Sequence, residues 1–354
     1  MDVTRKAPGR ELRRGWTTGA CATAATKAAY AALTTGIFPD PVGIALPRGE
    51  TPAFSLALAE KGEDWARAGI VKDAGDDPDV THLCMVIATV RRGRLGSGVV
   101  FRAGPGVGTV TKPGLPVPPG EPAINPAPRD MMRSVIAELG GGDVEIELSI
   151  PGGEELATKT WNPRLGILGG LSILGTTGIV HPYSCSAWIA SIQRGVDVAR
   201  ATGLAHIAGS TGSTSERAAQ ELHHLPLEAM IDMGDFVGGL LKYLRQHPVD
   251  RVTIAGGFGK MVKLAQGALD LHSGRSQVDF DWLSERVPPS VVPRVKRANT
   301  AQEALDLCRG VDFNAGKLIA DIALGTVQRT LRTKKIAPDI LVVDRQGAII
   351  GHAG

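Results

Sequence analysis

Beyond about residue 161 the chain alternates short apolar runs with longer helix-forming stretches. "LSILGT" leads to a helical stretch from Ser184 to about Ala201, and "LAHIAGS" follows. A helix from about Thr214 precedes "AMIDMG", one from Asp235 to about Arg245 precedes "RVTIAGG", and "GKMVKLAQGAL" is helical again. Strand and helix repeated in this way predict a parallel sheet with right-handed crossovers. Such a sheet binds its ligand beyond the carboxyl ends of its strands. Those ends carry Gly175 to Gly178, Ser210 to Ser215, Gly234-Asp235 and Gly256 to Lys260. Backbone N–H groups at turns of this kind attract anions and ribose hydroxyls, although the G-x-G-x-x-G fingerprint is absent. Later come helices near 300–309 and 316–332, then the apolar "DILVVD" and "AIIG".

The first half has another rhythm. Thr17 or Thr18 can cap a helix, and the Ala-rich stretch behind them predicts one as far as about Leu33. Short β-type runs follow, among them "VGIAL", "ARAGIVKDAG" and "THLCMVIATVRRG". Residues 104–128 are a Gly/Pro-rich loop, a helix starts near Arg129, and "DVEIELSI", Pro151-Gly152-Gly153 and "LATKTW" read as a hairpin. The expected fold class is therefore α/β: an N-terminal α+β domain over 1–160, then a parallel α/β domain over 161–354. The boundary is expected close to Trp161.

A length of 354 residues suits about two domains, and 43% hydrophobic with 21% charged residues suits a soluble globular protein. No apolar run approaches a membrane span, and the polar "MDVTRKAPGRELRRGW" lacks a signal-peptide centre, so a cytoplasmic protein is expected. The net charge of +3 is spread along the chain, which argues against nucleic acid as the main partner. It suits a polycarboxylate small molecule instead. Four cysteines form no C-x-x-C pair and eight histidines show no H-x-x-x-H spacing, so no protein-bound metal is expected.

Three clusters could carry chemistry. In "IVKDAGDDPDVTH" the acids Asp73, Asp76 and Asp77 crowd one loop, as a general base or a cation-facing group requires, or as turn chemistry alone explains. In "GGFGKMVKLAQG" Lys260 and Lys263 stand about one turn apart and could hold carboxylates, or form a solvated face. It is not a P-loop, because Met261 follows Lys260. In "GSTGSTSE" the hydroxyls could bind ribose or an amino-acid group, while Ser213 and Glu216 could form a capping box. No nucleophile elbow supports hydrolase chemistry.

Taken together, "LRRGWTTGACATAATKAA", "VKDAGDDPDVTH", "ILGGLSILGTTGIVHPYS" and "GGFGKMVKLAQGALDLHS" resemble successive blocks of the cobalt-precorrin-5B C1-methyltransferases. They occur in the family's order, from about residue 12 to 275, with one departure: "VTHL" stands where the family pattern has "VTHG". The resemblance implies methylation of C1 of cobalt-precorrin-5B to cobalt-precorrin-6A, with S-adenosylmethionine as donor, in corrin (vitamin B12) biosynthesis. It implies that the second domain is Rossmann-like and that the partner is a tetrapyrrole, and it leaves homo-oligomerisation open. Under it, Gly175, Thr176, Thr177, Gly178, Ser210 and Thr211 become candidates for holding the donor. Asp73 becomes the candidate carboxylate for the electron-poor methylated ring. Arg13, Thr17, Thr18, Lys72, Lys260 and Lys263 become candidates for binding the acceptor and its acetate and propionate arms. Two other readings remain. An NAD-dependent oxidoreductase should have a fingerprint turn and an acid ending the next strand, and "LAHIAGS" ends without one. A non-catalytic tetrapyrrole-binding protein would need only the basic residues.

Overall fold

A computed structural model describes residues 11–354; most of the N-terminal stretch read for a signal peptide lies outside these residues. The chain divides into two compact units, one ending at Ser184 and one starting at Cys185.

The first unit is built on helix α1 (Thr18–Thr35), which Thr17 caps by accepting the Ala20 N–H at 3.1 Å. Its alanines Ala20, Ala22, Ala24, Ala25, Ala28 and Ala29 are all fully buried. One sheet covers it, with strands β1 (Leu58–Lys61), β2 (Trp65–Val71), β3 (Met85–Arg92), β4 (Val99–Ala103) and β5 (Val144–Ser149). Their order is β1-β2-β3-β5-β4, antiparallel except for the β5–β4 pair. Burial alternates along β5 and through the first halves of β2 and β3, and the register sets Ala68 opposite Ala88 and Ala66 opposite Val90. Small residues meeting small residues let helix and sheet approach closely, which is what a chain poor in aromatics needs. Helix α2 (Pro126–Glu138) packs on the same α1.

Residues 161–180 belong to this unit rather than to the next. Ile167–Leu168 pairs with Thr109–Val110, Gly170–Leu171 with Gly106–Val107, and Ile179–Val180 with Gly15–Trp16. The boundary thus falls after Ser184 and not near Trp161, because these backbone groups find their partners upstream. The expected hairpin after "DVEIELSI" is absent as well: the Pro151-Gly152-Gly153 turn opens a short helix, Gly153–Ala157.

The second unit opens with helix α3 (Cys185–Ala201) and strand β6 (His206–Ser210), followed by helix α4 (Ser213–His223). Strand β7 (Met230–Asp232), helix α5 (Val237–Leu244), strand β8 (Arg251–Gly257) and helix α6 (Phe258–Ala265) continue the alternation. Helices α7 (Ala301–Arg309) and α8 (Ala315–Leu331) lead into strands β9 (Ala337–Val343) and β10 (Ile349–Ala353). The sheet order is β7-β6-β8-β9-β10, with β7, β6, β8 and β9 parallel and β10 antiparallel. Helix α4 packs on β6, β8 and β9, and α8 on β9 and β10. Burial is continuous along Val252–Gly256, as expected where helices cover both faces of a strand. No helix of the described residues is long and apolar enough to cross a membrane.

Candidate functional site

In chain order the parallel strands are β6, β7, β8 and β9, so the sheet starts at β6, steps outward to β7 and returns past β6 to β8. The strand order therefore reverses between the neighbours β6 and β8, the point at whose carboxyl ends sheets of this kind have their ligand crevice. Ser210 ends β6 there; it is 0% exposed and its Oγ has no hydrogen-bond partner. A buried hydroxyl left unpaired costs about 1–3 kcal/mol, which a ligand accepting or donating there would restore. Gly212 and Gly257 flank the crevice, and a Cβ at either would meet nothing within 4 Å. Helix α4 starts behind Gly212 with no side-chain cap, so the predicted Ser213–Glu216 capping box is not formed. Its first N–H groups are aimed as an anion or a ribose would use them.

Lys260 closes one side of this crevice. Its Nζ donates to Thr211 O at 3.1 Å and lies 3.0 Å from Asp235 Oδ1. Asp235 follows β7, and β7 itself ends at Asp232. An acid at the end of the second strand, about 20 residues past the first, is where a ribose diol is bound in sheets of this order. Sequence spacing reaches these acids only once β6 is known to be the first strand. For the same reason, the expected absence of an acid after the first strand does not hold: "LAHIAGS" is that first strand, and the next one ends in Asp232. Lys263 is turned away from any clamp. It is buried, donates to Leu271 O at 2.9 Å, and burial lowers its pKa.

The structure places Gly175, Thr176, Thr177 and Gly178 in the first unit, outside the parallel sheet of the second. They dock on the start of α1. Thr17 N donates to Gly178 O at 3.0 Å, Gly19 N to Leu174 O at 2.9 Å, and Leu174 N to Thr18 Oγ1 at 3.0 Å. Gly178 has the expected positive φ of 81°, and Gly175 has 126°. The space beside them is filled by the protein itself. A Cβ at Gly175 would run into Thr17, and one at Gly178 would stand 2.5 Å from Leu46 Cδ2.

The acidic loop resolves into turn chemistry. Asp73 accepts from the Arg13 guanidinium (Nη2 to Oδ1, 2.9 Å) and from Gly75 N at 2.9 Å. The bond to Arg13 first, and the Gly75 N–H second, lower its pKa to about 2. Asp76 accepts Arg13 N at 2.8 Å, and Asp77 accepts Tyr183 N at 2.8 Å. Asp79 accepts Thr81 N and Oγ1 at 2.7 and 2.6 Å and pairs with Lys72 Nζ at 2.6 Å. Burial opposes the charge on Asp79, but Lys72 and Thr81 outweigh it and its pKa falls. Lys72 is 1% exposed and cannot reach a substrate's carboxylates. Ser210, Thr211 and Lys260 are therefore brought together, whereas Asp73 with Arg13, and Thr17 with Thr18, belong to separate structural contacts.

A family model described as CbiD matches residues 5–182, and one described as CbiD, C-terminal domain, matches residues 270–354. The chain is 61% identical to the cobalt-precorrin-5B C(1)-methyltransferase of Paramagnetospirillum magneticum, over 97% of this chain and 98% of that one. It is 62% identical to the protein of the same name from Brucella anthropi, over 97% of this chain and 96% of that one. A crystal structure of cobalamin biosynthesis protein (cbiD) from Archaeoglobus fulgidus is 28% identical, covers 75% of this chain and 83% of that chain, and superposes with a TM-score of 0.39. With one family model spanning its first half and relatives this similar along nearly its whole length, the chain belongs to the CbiD family.

Proposed function

We propose that this chain transfers a methyl group from S-adenosylmethionine to C1 of cobalt-precorrin-5B, giving cobalt-precorrin-6A in corrin biosynthesis. The observation that carries this reading is the identity of 61% over 97% of the chain with a protein named for that reaction. The second unit is read as Rossmann-like, with the donor in the crevice between the ends of β6 and β8. The unpaired Ser210 hydroxyl, the uncapped start of α4 and the open space beside Gly212 and Gly257 fit a ribose and an amino-acid group. When bound, the donor supplies an electrophilic methyl on a sulfonium.

Ser210 and Thr211 bind it, and Lys260 orients the Asp235 carboxylate toward its ribose. The chain's main task is alignment of methyl and ring carbon, worth about 7–11 kcal/mol in favourable cases. For the acceptor's carboxylate arms, Arg13 keeps a half-exposed guanidinium, and Asp73 holds it in place. With a pKa near 2, Asp73 is a positioning residue rather than a proton acceptor at neutral pH.

The test is mass spectrometry of cobalt-precorrin-5B incubated with the protein and S-adenosylmethionine carrying a deuterated methyl. The corrinoid should gain one labelled methyl; an unchanged corrinoid mass overturns the reading. Calorimetry gives the competing outcome. Heat with NAD and none with S-adenosylhomocysteine would favour an oxidoreductase, for which Asp232 at the end of β7 is the one favourable feature.

A further inference from the structure

The opposite edge of the second sheet carries a cluster that methyl transfer does not use. His206 opens β6, Asp339 lies near the start of β9, and His223 ends α4 above them. The register sets Arg251 opposite His206 and Thr253 opposite Asp339, so β8 links the two outer strands. One ligand atom from each of His206, His223 and Asp339 lies within 4.8 Å of the others. His223 Nε2 is already 3.2 Å from Asp339 Oδ2. Tetrahedral ligands about 2.0–2.1 Å from a zinc ion stand roughly 3.4 Å apart, so side-chain rotation closes the set once His206 Nε2 gives up its 2.8 Å contact with Thr253 Oγ1.

A buried carboxylate needs a cation or several donors. Asp339 is 1% exposed, and its two oxygens are treated very differently. Oδ2 faces Arg251 Nη2 at 2.9 Å and both His352 Nε2 and His223 Nε2 at 3.2 Å. Oδ1 is buried and receives no hydrogen bond. Arg251 and His352 hold the carboxylate through Oδ2, as outer partners of metal-ligating carboxylates do, while Oδ1 and the buried His223 Nε2 are left without a hydrogen bond.

We propose that His206, His223 and Asp339 bind one divalent transition-metal ion of the zinc class, fastening the last turn of α4 to β6 and β9. Two imidazoles and one carboxylate suit zinc, cobalt or nickel rather than magnesium or calcium. The site lies at the amino ends of the parallel strands, away from the crevice, and its three protein ligands leave a fourth position to water. The three ligands are far apart in sequence, which is why no histidine spacing announces them.

The experiment is titration of chelator-treated full-length protein with Co²⁺, read by visible ligand-field absorption and by equilibrium dialysis. The wild type should take up one ion per chain with tetrahedral-type bands. His206→Gln and His223→Gln should each weaken binding by more than about tenfold with an unchanged far-UV circular dichroism spectrum. Should either variant fail to fold, Co²⁺-shifted imidazole N–H proton signals in the wild type give the same reading. Failure of the wild type to bind, equal binding by the folded variants, or absence of shifted imidazole signals overturns the site.

Discussion

Ser210 separates stability from binding at a single atom. Ser210→Ala removes a buried hydroxyl that has no partner, so the fold should be unchanged or slightly more stable. The same change should weaken S-adenosylhomocysteine by about two- to tenfold, the worth of one ordinary hydrogen bond. Calorimetric affinity and thermal midpoint moving down together would show that the hydroxyl serves the fold. Asp73 supplies a pH signature. Its pKa is depressed to about 2 against an ordinary carboxylate near 3.9, so the Arg13 contact stabilises the protein above about pH 4 and is lost as pH falls toward 2. Asp73→Asn should therefore melt below the wild type at pH 7, with the gap closing by about pH 2, and the pH–rate profile between pH 6 and 9 should keep its shape. An acidic limb in the wild-type profile that disappears in Asp73→Asn would restore Asp73 as the proton acceptor. Leu83 stands in a conformation that favours glycine: its φ is 64° and its side chain is largely exposed. Leu83→Gly should relieve about 1–2 kcal/mol of backbone strain against about 0.4–1 kcal/mol of added chain entropy. A urea midpoint lower than wild type would contradict that balance.

At the scale of elements, helices whose caps and periodicity agree were legible. The Thr17 cap, the α3 span and the strand-helix rhythm from His206 to Ala265 follow from local chemistry alone. The apolar run before Gly175 was not, since period and length cannot say whether a strand's partners lie upstream or downstream. Those partners are Gly106–Val107 and Thr109–Val110, inside a stretch that reads only as a Gly/Pro loop. Of the residues singled out in the sequence, the structure brings together Ser210, Thr211 and Lys260, the last expected on the acceptor's side, at the ends of parallel strands. Gly175 to Gly178, of similar residue types, dock on a helix instead. Gly178→Val accordingly should lower the melting temperature through its positive φ and the Leu46 contact, while S-adenosylhomocysteine affinity stays within about twofold. A folded variant that no longer binds would return the turn to the donor site.

For the whole molecule, the two units differ in how their chain ends are used. The second needs nothing upstream of Cys185 to complete its sheet, whose five strands all lie between His206 and Ala353. A fragment of residues 185–354 should therefore unfold cooperatively on heating, whereas one starting at 162 should carry an unpaired segment readily cut by protease near residues 167–180. A fragment 185–354 without a thermal transition would show that the unit depends on the rest of the chain.

The first unit is closed by its own extremities: Gly15–Trp16 pairs with Ile179–Val180, and Asp77 holds Tyr183. On the ribosome this imposes a wait. At about 5–20 residues per second, Gly15–Trp16 remains without its partner for on the order of ten to thirty seconds while the intervening chain is made. The Ala-rich helix is covered sooner, by β2, β3 and α2, all made by Glu138, so the pairing of Gly15–Trp16 is the last to be completed in the nascent unit.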